Sequence, residues 1–259
     1  MIYDSHAWIG HWPFQSLPER NAAQLLRQMV RHGIEKALVG NLHGLFYKDV
    51  HEANHELAKE LRRRRDRLTP CATINPTYSG WREDLKQCRE EFGMPVLRLA
   101  PDYHGYKLTD RHAEDLVGAA LDLKMAPAIF YRIVDSRGRH PLMDPGREAR
   151  DEDVLALLRK FPEGRFLLQN FRGIPGKKIP DKPQCLFDTT LIMWRNGLLL
   201  EDTLRQHGVR HFIFGTSMLL RYGSAPLLSL NACRLSKAER EAVLWKNLVK
   251  FLAKMDITI

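Results

Sequence analysis

Long apolar runs are missing from this sequence. No uncharged stretch approaches the roughly 18 apolar residues that a membrane-spanning helix needs, so no membrane segment is expected. A secretory leader is not expected either, because Asp4 and His6 interrupt the start before any apolar run begins. Cysteine is scarce: Cys71, Cys88, Cys185 and Cys233 lie far apart, with no C-x-x-C pair and no zinc-ribbon spacing. Neither a disulfide framework nor a cysteine-held metal follows from such spacing, and reduced thiols in a cytoplasmic protein are the simplest expectation. There is no internal repeat and no low-complexity tract. With 17 Gly and 14 Pro the composition is that of an ordinary globular chain, which excludes collagen-like and disordered classes.

What the sequence does carry in excess is positive charge, 40 Lys and Arg against 31 Asp and Glu, a formal +9. Its 259 residues lie near the roughly 250 typical of one α/β barrel. Short apolar runs alternate with amphipathic ones from end to end. Strands are predicted at 2–6, 34–39, 68–74, 95–100, 126–131, 165–169, 185–189 and 210–215. Helices are predicted at 17–32, 48–65, 81–92, 110–124, 151–161 and 198–207, with a weak one near Ala225 and a strong one over 236–255. Ser236 followed by Glu239 is a capping box for the last. Eight strands alternating with helices predict a single (β/α)8 barrel spanning residues 1–259, with an extra C-terminal helix. The Gly/Pro-rich stretch 172–184 reads as a loop in place of the sixth helix, and 135–150 as another long loop. Both follow strands, which places them over the barrel mouth.

Two local motifs invite a function and are better explained without one. His51-Glu-Ala-Asn-His55 matches the H-E-x-x-H zinc-protease pattern, in which two imidazoles one turn apart share a helix face. No third ligand follows at the spacing such enzymes use. The basic run Arg62–Arg65 could meet phosphates, but it ends a predicted helix, where cations suit the negative end of the dipole. No aromatic residues interleave with it, and no nucleic-acid partner is expected.

A third signal is spread along the chain. The opening IYDSHAWIGHWP resembles the D-x-H-x-H start of the amidohydrolase-related family of metal-dependent barrel hydrolases and decarboxylases. GIEKALVG, VLRLAPDYHGY, APAIFYR, RFLLQNFRG, LFDTT and GVRHFIFGTS follow in order, resembling that family's second and fourth to eighth strands. The closing SKAEREAVLWKNLVKFL is similar to its last helix. The resemblance implies a divalent metal held by two histidines of the first strand, one of the fifth, often one of the sixth, and an aspartate of the eighth.

This sequence departs from that pattern at most of those positions. His6 fills the first, but Trp8 takes the second, Tyr131 stands for the fifth-strand His, Asn170 for the sixth-strand His, and Ser217 for the aspartate. Arg98 falls where a lysine is usual. Catalytic zinc sites use about three protein ligands plus water, so no metal and no other cofactor is expected here. Trp8, Arg98, Tyr131, Asn170, Arg172 and Ser217 are instead candidates for a pocket that binds an anionic small molecule, arginine forks holding its acid group. The alternative is that Trp8 and Tyr131 simply fill the space a metal would leave. His6, His104, Asp102 and Asp188 are the acids and bases at hand, while Ser217 lacks the G-x-S-x-G setting of a nucleophile. The leading expectation is therefore a non-catalytic ligand-binding or partner subunit, a homo- or hetero-dimer. The alternative is a metal-independent hydrolase, lactonase or decarboxylase acting on an anionic small molecule.

Overall fold

The computed structural model describes residues 1–134, 140, 142–171, 182, 184–192 and 198–256. Eight strands, β1 (Tyr3–Ile9), β2 (Lys36–Asn41), β3 (Leu68–Thr73), β4 (Val96–Leu99), β5 (Ala126–Phe130), β6 (Arg165–Gln169), β7 (Gln184–Asp188) and β8 (Phe212–Ile213), form one parallel sheet in sequence order. Beyond β8 the chain turns back onto β1. Ser5 N–H donates to Phe214 O at 2.9 Å and Ser217 N–H to His6 O at 2.7 Å, which brings the first and last strands together. The predicted (β/α)8 barrel is thus the observed fold.

The helices are α1 (Ala22–Arg31), α2 (Val50–Leu61), α3 (Trp81–Glu90), α4 (Pro101–His104), α5 (Arg111–Asp122), α6 (Asp151–Lys160), α7 (Leu198–His207), α8 (Ser224–Ala232), α9 (Lys237–Glu241) and α10 (Asn247–Ala253). Several predicted boundaries move for local reasons. The first helix starts at Ala22 and not at 17, because Asn21 and Gln24 form a reciprocal cap there. The strong last helix exists as three pieces, α9 and α10 joined by a π-helical turn over Ala242–Lys246, behind the predicted Ser236–Glu239 box. The one-turn α4 is an addition to the predicted elements; Pro101 at its first position fits a helix start. The predicted loop over 172–184 falls mostly outside the described residues.

Side chains sort into three layers. Tyr3, Leu38, Cys71, Val96, Ala126, Leu167, Leu186 and Ile213 point inward near the strand starts, and Leu248, Phe251 and Leu252 of α10 close that end. Strand residues of opposite parity, such as Val39, Leu97, Ile129, Leu168 and Phe187, pack outward under the helices. A third, aromatic layer of Trp8, Trp12 and Phe130 fills the other end, where the loops after the strands gather. All four cysteines are buried and none forms a disulfide. Among the described residues no helix is long and apolar enough to cross a membrane. The basic run behaves as a helix end: α2 stops at Leu61, Arg64 donates back to Glu60 O, and Arg65 to Phe92 O.

Candidate functional site

Strand alternation decides which residues meet at the mouth. In β1 the pairing with β2 shifts register between Asp4 and Ala7, a bulge that changes parity. Tyr3 below the bulge and His6 and Trp8 above it therefore all face the barrel interior. On β5 the inward residues are Ala126, Ala128 and Phe130, the last 5.1 Å from the His6 ring and 5.4 Å from that of Trp8. Tyr131 consequently faces away. Its ring lies 5.4 Å from Phe171, outside the sheet, which corrects its placement at the mouth. Phe130 is the residue that sequence reasoning missed; β5 is apolar and buried at every position, so its sequence carries no signal of parity.

His6 sits at the centre of a sealed polar cluster. His6, Trp8, Asn170, Asp188 and Ser217 are all fully buried. The Trp8 indole N–H can only donate, and it reaches His6 Nε2 at 3.0 Å. His6 Nε2 is therefore the acceptor and Nδ1 carries the proton, given to Asp188 Oδ2 at 2.9 Å. Asp188 also accepts from Asn170 N, Thr190 N and Thr190 Oγ1. Ser217 Oγ lies 3.2 Å from His6 Nδ1 and donates to Asn170 Oδ1, whose amide nitrogen donates to Arg132 O. Asn170 and Ser217 both adopt positive φ, 58° and 56°, a conformation unusual outside glycine. Burial holds the His6 pKa down to about 4 against the pull of Asp188, with Arg98 and Arg221 adding to the lowering. At neutral pH the ring is uncharged, so the His6–Asp188 contact is a hydrogen bond to a carboxylate and not an ion pair.

Arg98, expected in a ligand pocket, is instead part of the barrel filling. Its guanidinium carbon lies 4.2 Å from the centre of the Trp8 ring, a cation–π contact in a water-free setting. Nη1 and Nη2 donate to the carbonyls of Ala7 and Leu38. Gly40 makes room for this stack, since a Cβ there would lie 2.7 Å from Trp8 Cζ3 and closer still to Arg98 Nη1. Two further arginines near strand ends also have protein partners. Arg132 pairs with Glu148 at 2.7 Å, and Arg221 Nη2 donates to Ile133 O. Arg172 lies outside the described residues.

Deeper in the barrel Asp4 makes a second carboxylate centre. It accepts from His6 N, Thr216 N and Thr216 Oγ1. Burial nevertheless outweighs these bonds and raises its pKa from 3.8 to about 7, with Asp188 contributing. A raised acid stabilises the fold below its unfolded pKa and loses that contribution as pH climbs through about 7. His6, lowered from 6.5 to about 4, contributes above 6.5 and loses it as pH falls through 4. Between pH 4 and 6.5 the two slopes oppose each other. Asp4→Asn keeps the acceptor and supplies an N–H in place of the acid proton. Its urea-unfolding free energy is expected to rise more steeply than the parent's from pH 4 to 6.5, by up to about 1.4 kcal/mol per pH unit, because the slopes of His6 and His104 are then unopposed by Asp4. An unchanged pH profile would show that Asp4 is not protonated in the fold.

No protein-family model and no curated protein matches the sequence. Solved structures do. A 2,6-dihydroxybenzoate decarboxylase from Rhizobium superimposes with a TM-score of 0.72 at 17% identity, over 98% of both chains. A 5-carboxyvanillate decarboxylase from Sphingomonas paucimobilis gives 0.74 at 12% identity, over 99% of both. A dihydroxybenzoic acid decarboxylase from Polaromonas, solved with manganese and the inhibitor 2-nitroresorcinol, gives 0.74 at 14% identity, over 97% of this chain and 96% of that one. The chain has the fold of these decarboxylases. They are of the kind the sequence resembles, so the amidohydrolase-related resemblance holds at the level of the fold.

A divalent cation does not fit the described residues at this mouth. The one His6 lone pair is taken by Trp8, its N–H by Asp188, and the guanidinium of Arg98 lies beneath the indole. Among the described residues no three His, Cys, Asp or Glu are grouped to hold a metal ion. His51 and His55, the H-E-x-x-H pair, lie on α2 with rings 4.7 Å apart, and His51 Nε2 is hydrogen-bonded to Gln87.

Space for a small molecule lies beside the sealed cluster. A cavity of about 450 Å³ opens over the ends of β4 and β5, lined among others by Asp102, Tyr106, Lys107, Phe130, Arg132 and Arg147. Asp102, one of the candidate acids, borders that space and accepts from Arg147 N at 2.9 Å. His104 does not line it; it is buried at the end of α4, where desolvation lowers its pKa to about 4. His6 and Asp188 do not line it either. The structure thus joins His6 and Asp188 in the sealed cluster and sets Asp102 and His104 apart from it, and Asp102 is the candidate beside open space.

Proposed function

We propose that the chain is a divergent member of the amidohydrolase-related family that acts on a small anionic molecule at its barrel mouth without a divalent metal. One observation carries the metal-free part: the ring of His6 is committed on both nitrogens, to Trp8 and to Asp188. The ligand class rests on the neighbouring cavity. Lys107, Arg132, Arg147 and Arg150 line it with Asp102, Glu148 and Asp153, an excess of one positive charge, beside the apolar faces of Tyr106 and Phe130. A ring bearing a carboxylate suits such walls.

Two versions of this reading differ in turnover. The full burial of His6, Asp188 and Ser217 favours binding without chemistry, since no substrate can touch them while Trp8 is in place. The neighbours by fold favour an enzyme, because each of the three is named for decarboxylating an aromatic acid. The comparisons fit this second version better than a non-catalytic subunit. In it the carboxylate leaves as CO2 and the ring carbon takes a proton, for which Asp102 is the group at hand.

Chelator-treated protein incubated with 2,6-dihydroxybenzoate tests both. Metal-free CO2 release that falls by about 100-fold or more in Asp102→Asn, with binding retained, is the result expected of the enzyme. Saturable binding with no CO2 released would support the non-catalytic version. Turnover that appears only with added manganese would overturn the proposal, and so would failure to bind any of a panel of benzoates and lactones.

A further inference from the structure

A second cavity lies away from the barrel axis, between the N-terminal end of α1 and the middle of α2. Its volume is about 600 Å³, and its walls include His11, Arg20, Asn41, His43, Glu56 and Glu60. None of these belongs to the His6 cluster or lines the cavity over β4 and β5.

The walls carry opposite charges in an ordered chain of hydrogen bonds. On one side Arg20 Nη1 is 3.2 Å from His11 Nδ1, and its Nε is anchored on Leu17 O. In the middle, His43 Nδ1 accepts from the backbone N–H of His11, so its Nε2–H donates to Glu56 Oε2 at 3.0 Å. On the other side Glu56 also accepts from Tyr47 Oη and Asn41 Nδ2. Desolvation works against ionisation of Glu56, but the bonds from His43 and Tyr47 outweigh it and hold its pKa below the usual carboxylate value. Glu60 accepts from Ala22 N at the first turn of α1. The donors on Glu56 are an imidazole, a phenol and an amide. Among the described residues neither Glu56 nor Glu60 forms an ion pair with Lys or Arg.

Two further features mark the floor. Asn41 is buried to 6% exposure and lines the cavity, and its Oδ1 has no partner among the described residues. Gly10, at φ 101°, borders the same floor, and a Cβ on it would come 2.8 Å from that oxygen. Two carboxylates without a cationic partner, with an amide oxygen lacking a donor, call for a group that is both positive and rich in N–H. Arg20 and His11, which line the same cavity, call for an acid.

We propose that this cleft binds a small zwitterion, its ammonium held by Glu56 and Glu60 and its carboxylate by Arg20 and His11. The site is independent of the barrel mouth and of the reaction proposed there.

The probe is 4-aminobutanoate, titrated calorimetrically into the full chain, with butylamine and butanoate as molecules that carry one end each. The zwitterion is expected to bind about 10-fold or more tightly than either half, because each half forgoes the charge-assisted hydrogen bonds at one end of the cleft. Glu56→Gln and Arg20→Gln are each expected to weaken it by about 10-fold while leaving the circular-dichroism spectrum and 2,6-dihydroxybenzoate binding unchanged. Equal affinity for butanoate or butylamine would overturn the proposal. No binding at millimolar zwitterion, or full binding by both variants, would overturn it as well.

Discussion

Replacing Trp8 with alanine is expected to lower the stability of the fold by about 3–5 kcal/mol, the usual cost of emptying a large aromatic site in a core. Trp8 is fully buried and has three separate partners: Arg98 stacked at 4.2 Å, Phe130 at 5.4 Å and His6 through the indole N–H. Truncation removes all three interactions, leaving Arg98 only the more distant Phe130 ring at 5.8 Å and His6 Nε2 only the Ser217 hydroxyl at 3.4 Å. The neighbours cannot collapse into the gap, because Arg98 is tied to Ala7 O and Leu38 O. Urea denaturation at neutral pH measures the loss. A cost below about 1 kcal/mol would mean that the mouth is not close-packed and that the indole is not what fills it. Trp8→His is expected to restore the sequence pattern of a metal-binding first strand without restoring a site, since Phe130, Asn170 and Ser217 supply no imidazole or carboxylate and the Asp188 oxygens are held by His6, Asn170 and Thr190. Metal analysis of that variant checks the point directly.

The second large effect falls on Asp188. Each of its oxygens accepts: Oδ1 from Asn170 N and Thr190 N, Oδ2 from His6 Nδ1 and Thr190 Oγ1. Asp188→Asn keeps the shape but turns one acceptor into a donor. The imidazole cannot answer by changing tautomer, because a proton on Nε2 would then face the indole N–H of Trp8. One buried donor is left facing another, at a cost of about 3 kcal/mol. The cause can be isolated. In a Trp8→Phe background the tautomer is free to change, so the added cost of Asp188→Asn is expected to fall by about 1–2 kcal/mol, the coupling of a double-mutant cycle. Strict additivity would show that the Trp8–His6–Asp188 chain does not act as a unit.

Much of the architecture was legible because it follows from periodicity. Apolar runs such as Ala126–Phe130 and the i, i+3, i+4 face of α1 report on burial residue by residue, and burial is what selects strand or helix. The poor fit to a metal was legible for a similar reason: an indole at position 8 cannot ligate, whatever the geometry. What periodicity could not supply was parity. A single-residue error over the end of β5 puts Tyr131 at the mouth in place of Phe130, since a one-residue slip turns every side chain to the other face. The bulge in β1 and the positive φ values at Asn170 and Ser217 are likewise invisible to local sequence, because they are imposed by strand partners far away in the chain.

The arginines divide in the same way. As a composition the +9 points to anion binding, and a one-dimensional reading can only place Arg98, Arg132 and Arg221 near strand ends. Burial against Trp8, the ion pair with Glu148 and the bond to Ile133 O assign each of them a neighbour of its own. By itself the sequence determined the barrel and its eight strands, because these depend on residue type and spacing along the chain. Only the tertiary structure decided that the centre of the mouth is filled by a tryptophan on an arginine, leaving open space at Asp102 and between α1 and α2. Filling is a matter of which side chains converge from distant strands, and convergence is a property of three dimensions.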